Sequence, residues 1–503
     1  MKLPRAVLRQ CRYRTPRHGL TFTPVSSLLR GPICPLRQNS KRASSWWSWG
    51  DRSYATVAAG ELQFGQPVHE THPHVLKAGE ITPGITAQEY FDRRAKLALS
   101  LPDNAVAVLA AADLKYRSGA VFFPFRQESN FLYLTGFSEP EAMAVIQKTG
   151  ANLGDYAFHL FCRPKDPRAE QWSGPWSGLQ AAQDVFNADV AGDINKVDTL
   201  LPPLIKGASK MYTDIELSKG GYPTAFANLI RQADKSAGTQ ALQPMVNQLR
   251  AIKSPAEIAN MRKAGQASGR AITEAMRREW RTEKDLAAFL DYQFIVNGCD
   301  GPAYVPVVAG APRGGMIHYV QNSATLREDD FVLVDAGGEY GTYVTDITRT
   351  WPMSKRFSPA QRDLYEAVLK VQRASVSLCR ESSGLTLDRI HRITEDGLRD
   401  YLKQLGFDMS GNALDVLFPH HVGHYVGLDV HDVPGYGRHW PLRSGHCVTV
   451  EPGIYVPDDE RWPEHFRGIN IRIEDSVCVD DDSPFILTTE AVKEVDDIEA
   501  LRD

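Results

Sequence analysis

What the chain lacks bounds it first. No run of eighteen apolar residues occurs in its 503 residues, so no segment reads as a membrane-spanning helix. The seven cysteines are scattered, odd in number and without a Cys-x-x-Cys pair. That argues against a disulfide scaffold or a thiolate metal site and suits a reducing compartment. Net charge is also small: 57 Lys plus Arg against 61 Asp plus Glu leave −4, so the whole chain makes no case for nucleic-acid binding. With 43% hydrophobic and 23% charged residues, disordered and collagen-like classes are excluded, and the length allows two or three domains.

The last absence is local. The first 50 residues contain no Asp or Glu, but ten Lys or Arg. On a helix, Lys2, Arg5, Arg9 and Arg12 share one face, opposite Leu3, Val7, Leu8 and Cys11. Acid-free, Arg- and Ser-rich amphipathic segments are the signature of a mitochondrial presequence, drawn in by an inside-negative potential. A secretory signal is excluded, because it needs an apolar core of about 7–15 residues. Residues 1–55 are therefore set apart as a presequence. Arg52-Ser53-Tyr54-Ala55 suits a cut after Ser53, with Ser44 as a competing site.

An extended arm is expected over 56–80, an α/β domain over 81–240 and an α+β domain over 245–503. In the first domain, Tyr90–Leu101 reads as a helix and Ala105–Ala111 as a buried strand. Phe131-Leu-Tyr-Leu-Thr135 and Ala142-Met-Ala-Val-Ile146 read as further strands. Residues 234–243 are mostly polar and suit a junction. Ser254-Pro-Ala-Glu257 and Ser358-Pro-Ala-Gln361 are helix starts, each with a capping Ser, Pro at the first helical position and Glu or Gln three residues past the cap. A third helix is predicted over 387–406. Strand-like runs follow at 331–336, 341–350, 447–450 and 469–479.

Several of these strands carry charge where apolar residues are expected. Folding 331–350 as a hairpin about residues 340 and 341 places Asp335 opposite Asp346. Two facing carboxylates repel unless a cation lies between them, one is protonated, or Arg349 pairs with one. Downstream, His420, His421, His424 and His431 fall within twelve residues, interleaved with glycines that suggest close backbone approach. Glu451 follows a strand, and Glu474 lies within an alternating one. Four carboxylates and an imidazole on strands suit a site for two divalent metals.

The order Asp335, Asp346, His424, Glu451, Glu474 resembles the five-ligand set of the pita-bread metallopeptidases. His318-Tyr319, the run from His420 to Asp432, Glu451-Pro-Gly-Ile-Tyr455 and Arg472-Ile-Glu474-Asp475 resemble aminopeptidase P. So does the upstream Arg126-Gln-Glu-Ser-Asn-Phe-Leu-Tyr-Leu-Thr-Gly-Phe137. The arm from Gln66 to Gly84 is similar to the mitochondrial aminopeptidase P branch, which in fungi comprises intermediate-cleaving peptidases.

The resemblance implies an α/β N-terminal domain followed by a pita-bread catalytic domain. Asp335 then chelates one metal, Asp346 and Glu474 bridge two, and His424 and Glu451 complete the other. Glu451 doubles as the base. His318, His420 and His431 line the pocket, with Arg472 and Tyr455 behind them. A water between two cations loses a proton near neutral pH and becomes the nucleophile. Mn²⁺ suits the oxygen-rich set, although Zn²⁺, Co²⁺ or Fe²⁺ also fits its chemistry. The activity implied is removal of one bulky N-terminal residue, such as Tyr, Leu or Phe, from imported proteins in the mitochondrial matrix. Its partners are peptide or protein N-termini, with a homodimer and peripheral inner-membrane association as family expectations. Two alternatives remain: a general Xaa-Pro aminopeptidase, and an inactive binding protein on the same fold. In Trp172-Ser-Gly-Pro-Trp176, Trp176 stands in or near the place where many relatives carry Arg, a departure that bears on neighbour-subunit contacts to substrate.

Overall fold

A computed structural model describes residues 63–215 and 239–503. The expected presequence with its two competing cut sites after Ser44 and Ser53, the 56–62 part of the expected arm and the 234–238 part of the expected junction lie outside the described residues.

Helix α1, Ala87–Ser100, starts at Thr86, whose hydroxyl accepts from the Glu89 amide at 3.2 Å. Beside it, β1 (Val106–Ala110) is buried at every position, as its unbroken apolar run requires of a strand covered on both faces. Phe131–Thr135 corrects the expectation of a strand. It belongs to helix α2, Ser129–Thr135, capped by the Glu128 carboxylate and closed by Gly136 in the left-handed region. A short apolar run has no period that separates strand from buried helix, so the caps decide.

β2 (Met143–Lys148), β3 (Tyr156–Cys162), β4 (Val190–Asp193), β5 (Met211–Thr213) and β6 (Thr239–Gln240) complete a mixed sheet in the order β6-β5-β1-β2-β3-β4. Helix α3, Gln243–Ala251, leads to α4, Pro255–Met276, which begins with a full capping box on Ser254 and Glu257. Helix α5 is Glu283–Val296.

The strands that follow are short and antiparallel. β7 (Val307–Ala309) pairs with β8 (Phe331–Asp335). β9 (Gly338–Tyr340) and β10 (Tyr343–Val344) form a hairpin, and β11 (Thr348–Pro352) returns along β8. The hairpin register differs from the expected one. Tyr340 pairs with Tyr343, so the turn is Gly341-Thr342, with φ of 54° and 71°. Positive φ at both central residues marks the tight turn whose twist matches two antiparallel strands. Asp335 consequently pairs with Thr348, and Asp346 falls in the break between β10 and β11. The shift is two residues, which keeps both carboxylates on one face.

Helices α6, Pro359–Ser377, and α7, Leu387–Gln404, come next; α6 has its own capping box on Ser358 and Gln361. β12 (Cys447–Val450) and β13 (Gly453–Tyr455) then precede β14 (Asn470–Arg472), β15 (Asp475–Val479) and β16 (Pro484–Ile486). The expected single strand over 469–479 is thus two, with Glu474 at the break, where its amide donates to the Thr348 carbonyl at 3.0 Å. Asn470 and Arg472, which alternate with Ile469, Ile471 and Ile473, are buried, as are Ile471 and Ile473. One apolar cluster joins the inner residues of α4 to α7 to these strands, including Phe294, Trp351, Leu398 and Ile471.

Candidate metal centre

The strand breaks create the site. At the breaks the strand ladders stop, although the Glu474 and Glu451 amides still find backbone carbonyls at 3.0 and 2.8 Å, and the ligand side chains come together. Asp346, His424 and Glu474 each offer one ligand atom, and these atoms lie within 4.8 Å of one another. The His424 Nε2 is 3.5 Å from Asp346 Oδ2 and 3.5 Å from Glu451 Oε1. Its Nδ1 is 3.0 Å from the Tyr425 carbonyl oxygen, which assigns a proton there and turns Nε2 toward the carboxylates. Asp335 joins from the end of β8: the Tyr304 hydroxyl lies within hydrogen-bond distance of both Asp335 and Asp346.

Glycine is needed for this approach at Gly423, where a Cβ would lie 2.0 Å from the Thr449 carbonyl oxygen. That contact seats the His-rich loop on β12, and the Thr449 hydroxyl accepts from the His424 amide at 3.0 Å. The expected close backbone approach of this loop is thus observed.

The electrostatics describe a site short of positive charge. Burial and repulsion from Asp346 push Asp335 up to about 7, against the pull of Arg472. Burial raises Glu451, with His424 opposing. Burial and three neighbouring carboxylates raise Glu474 well above its ordinary value. Burial alone would raise Asp346, but the hydrogen bond and charge of His424, with the bonds from Tyr304 and Asp335, together hold it low. Burial disfavours charge on His424, but Asp346 and Glu451 outweigh it and hold the imidazole at about 9. Glu474 is 1% exposed, and its Oε1 has no hydrogen-bond partner among the described residues. An orphaned carboxylate oxygen among carboxylates that resist ionisation fits a bound cation, and the donor set of four carboxylates and one imidazole suits a hard divalent one.

Arg472 organises the surroundings. It donates to Asp335 at 2.6 Å, to the Thr348 hydroxyl at 3.0 Å and to the Tyr455 hydroxyl at 2.8 Å. The Thr348 hydroxyl in turn donates to Glu474 Oε2 at 2.6 Å. Tyr455 is 2.8 Å from His420 Nε2, and His420 Nδ1 is 2.9 Å from the His421 carbonyl oxygen. The directions are consistent: Arg472 donates to Tyr455, Tyr455 to neutral His420, and His420 to the backbone. Burial and the Arg472 charge push His420 down to about 3, which keeps it neutral. Arg349, considered as a partner for the first carboxylate pair, instead bonds Asp475 at 2.7 Å.

His431 lies edge-on to His424, ring centroids 4.4 Å apart, and is exposed. His318 is also exposed, on the loop between β7 and β8. Burial, and repulsion from His424 and His318, lower His431. Trp172 is exposed, and Arg163 stacks on the Trp176 ring at 4.2 Å. Tyr304, Thr348 and Thr449 were not predicted from the sequence. Their hydroxyls touch the carboxylates through folding alone, and no periodicity marks them.

Residues 259–481 match the profile "Metallopeptidase family M24", and residues 90–212 match "Aminopeptidase P, N-terminal domain". Intermediate cleaving peptidase 55 of Saccharomyces cerevisiae is 43% identical over 87% of this chain and 88% of its own. A crystal structure of that yeast protein superposes with a TM-score of 0.80 at 41% identity, covering 85% of this chain and 99% of the other. Human Xaa-Pro aminopeptidase 3 is 38% identical over 94% of this chain and 98% of its own. A relative from Arabidopsis thaliana, intermediate cleaving peptidase 55, mitochondrial, is 34% identical over 89% of each.

Proposed function

The chain belongs to metallopeptidase family M24, in its aminopeptidase P branch with the pita-bread catalytic fold, and we propose that it removes a single bulky N-terminal residue from imported mitochondrial proteins after presequence cleavage. The family implies divalent metal. Asp335, Asp346, His424, Glu451 and Glu474 would hold two cations, Mn²⁺ by the oxygen-rich donor set, with Asp346 and Glu474 shared between them. The observation that carries this reading is the unpartnered Oε1 of buried Glu474 beside Asp346 and His424. Once bound, the cations supply Lewis acidity toward a water and a peptide carbonyl.

The side chains do the rest. Glu451, raised by burial, takes the proton of the attacking water and returns it to the leaving nitrogen. Neutral His431 offers an N–H to the developing oxyanion, with His318 across the rim for the leaving group. Arg472 holds Asp335 and, through Tyr455, orients His420, whose two nitrogens are both engaged.

The acid-free N-terminal segment and the mitochondrial plant relative support a matrix location. A homodimer and peripheral inner-membrane contact belong to the same reading; light scattering and carbonate extraction test them. Because human Xaa-Pro aminopeptidase 3 is also similar over most of its length, a preference for Pro in the second position is the second reading.

The deciding assay uses the purified mature chain with Mn²⁺ on peptides starting Tyr-Ala-Ser and Tyr-Pro-Ser, with Asp346→Ala as control. Release of Tyr from the first, lost in the control, is expected. Release from the Pro peptide alone selects the second reading. No release from either, with metal bound, would leave a binding role.

A further inference from the structure

One carboxylate ties down the loop that carries His318. Glu283, the first residue of α5, is 0% exposed. Its Oε1 accepts from the Gly310 amide at 3.2 Å and from Arg313 Nε at 2.6 Å. Its Oε2 accepts from the Tyr319 hydroxyl at 2.8 Å and from the Ala324 amide at 2.9 Å. The four donors come from both flanks of one loop and from two points between them. The far flank is pinned again by a bridge between Thr282 and Thr325.

Asn322 adds a tether near the far flank, accepting from the Val308 amide at 3.0 Å and donating to the Pro306 carbonyl at 2.7 Å, but the stretch around His318 is open. Met316, His318 and Val320 are exposed. Tyr319, in contrast, packs with Ile317 against Val307, Ala309, Leu333 and Tyr455. Tyr455 is the hydroxyl that links Arg472 to His420. The Glu283–Tyr319 bond thus sets the height of the residue next to His318 against the wall of the metal centre.

The geometry points to Glu283 as a positioning residue for the peptidase reaction: it orders the loop 310–324 and thereby presents His318 to the site. This rests on the peptidase reading above. Gln at 283 keeps the shape but replaces one oxygen by an NH₂ and removes the charge that Arg313 pairs with; even with that NH₂ turned to the Tyr319 hydroxyl, which can accept, the Ala324 amide loses its acceptor.

Two measurements test it on the full mature chain. The first is amide hydrogen exchange of the 310–324 segment without added metal. Glu283→Gln is expected to exchange roughly tenfold faster there, with α4 and the N-terminal sheet unchanged. The second is a double-mutant cycle with Mn²⁺ and the Tyr-Ala-Ser peptide. Glu283→Gln is expected to lower kcat/KM roughly tenfold or more, but less than about twofold when His318 is already Ala. Equal losses in both backgrounds, or unchanged exchange, would overturn the proposal. If Glu283→Gln does not fold, Tyr319→Phe removes one bond and keeps the ring; faster exchange is expected there too, and unchanged exchange would overturn it. A wild type inactive on every peptide would defeat the peptidase reading, while the exchange data would still judge the loop.

Discussion

Arg250 and Lys253 converge on buried Asp432, with Lys253 Nζ at 2.8 Å. Burial alone would raise this carboxyl, but the two cations hold it at about 2. A depressed carboxylate stabilises the fold above its unfolded value near 4, and that contribution fades as pH falls toward about 2. The drop is worth about 2 kcal/mol at most. Urea midpoints of wild type and Asp432→Asn should therefore differ most at pH 5 to 7, with the gap roughly halved at pH 3 and still narrowing toward pH 2. A gap that widens on acidification would contradict the assignment. Closer to the chemistry, Tyr455→Phe deletes the hydroxyl between Arg472 and His420. We expect kcat to fall about tenfold, with metal content and melting temperature little changed. An unchanged kcat would show the link to be idle.

At the scale of elements, the two capping boxes are local devices with local consequences. Ser358→Ala removes the acceptor for the Gln361 amide, a 3.2 Å bond at an exposed helix start. The expected cost is about 1 kcal/mol, a few degrees or less in melting temperature, with peptidase activity retained. Calorimetry with a parallel activity assay checks both halves. These helix starts were legible because cap, Pro and Glu or Gln are neighbours in sequence. The α2 helix was not, because the four apolar residues Phe131–Leu134 carry no phase. The hairpin register was missed by two residues because it depends on positive φ at Thr342, which its side chain does not announce.

For the whole molecule, the residues around α2 grip the loop that carries His431. Ser129 donates to Asp429 at 2.6 Å, and Arg126 donates to the Leu428 carbonyl and to Glu339. Arg250 reaches both Asn130 and Asp429 at 2.7 Å. Ser129→Ala should lower kcat/KM several-fold through this loop, with metal content unchanged by elemental analysis. Chelation by EDTA should abolish activity and lower the melting temperature, and Mn²⁺ should restore both, because a ligand that binds only the folded chain stabilises it. A melting temperature indifferent to EDTA would remove the metal centre from the account.

The sequence by itself determined the broad fold class, the helix starts and the set of charged residues that the structure draws together. Each rests on neighbours along the chain or on residue types too costly to bury without a partner. Tertiary structure alone decided that Tyr304, Thr348 and Thr449 touch those carboxylates, that Asp335 pairs with Thr348, and that Glu283 holds the His318 loop. Apart from Thr449 and Glu451, which are two positions apart, such contacts join residues from 13 to 126 positions apart, and no local pattern encodes a distance between them.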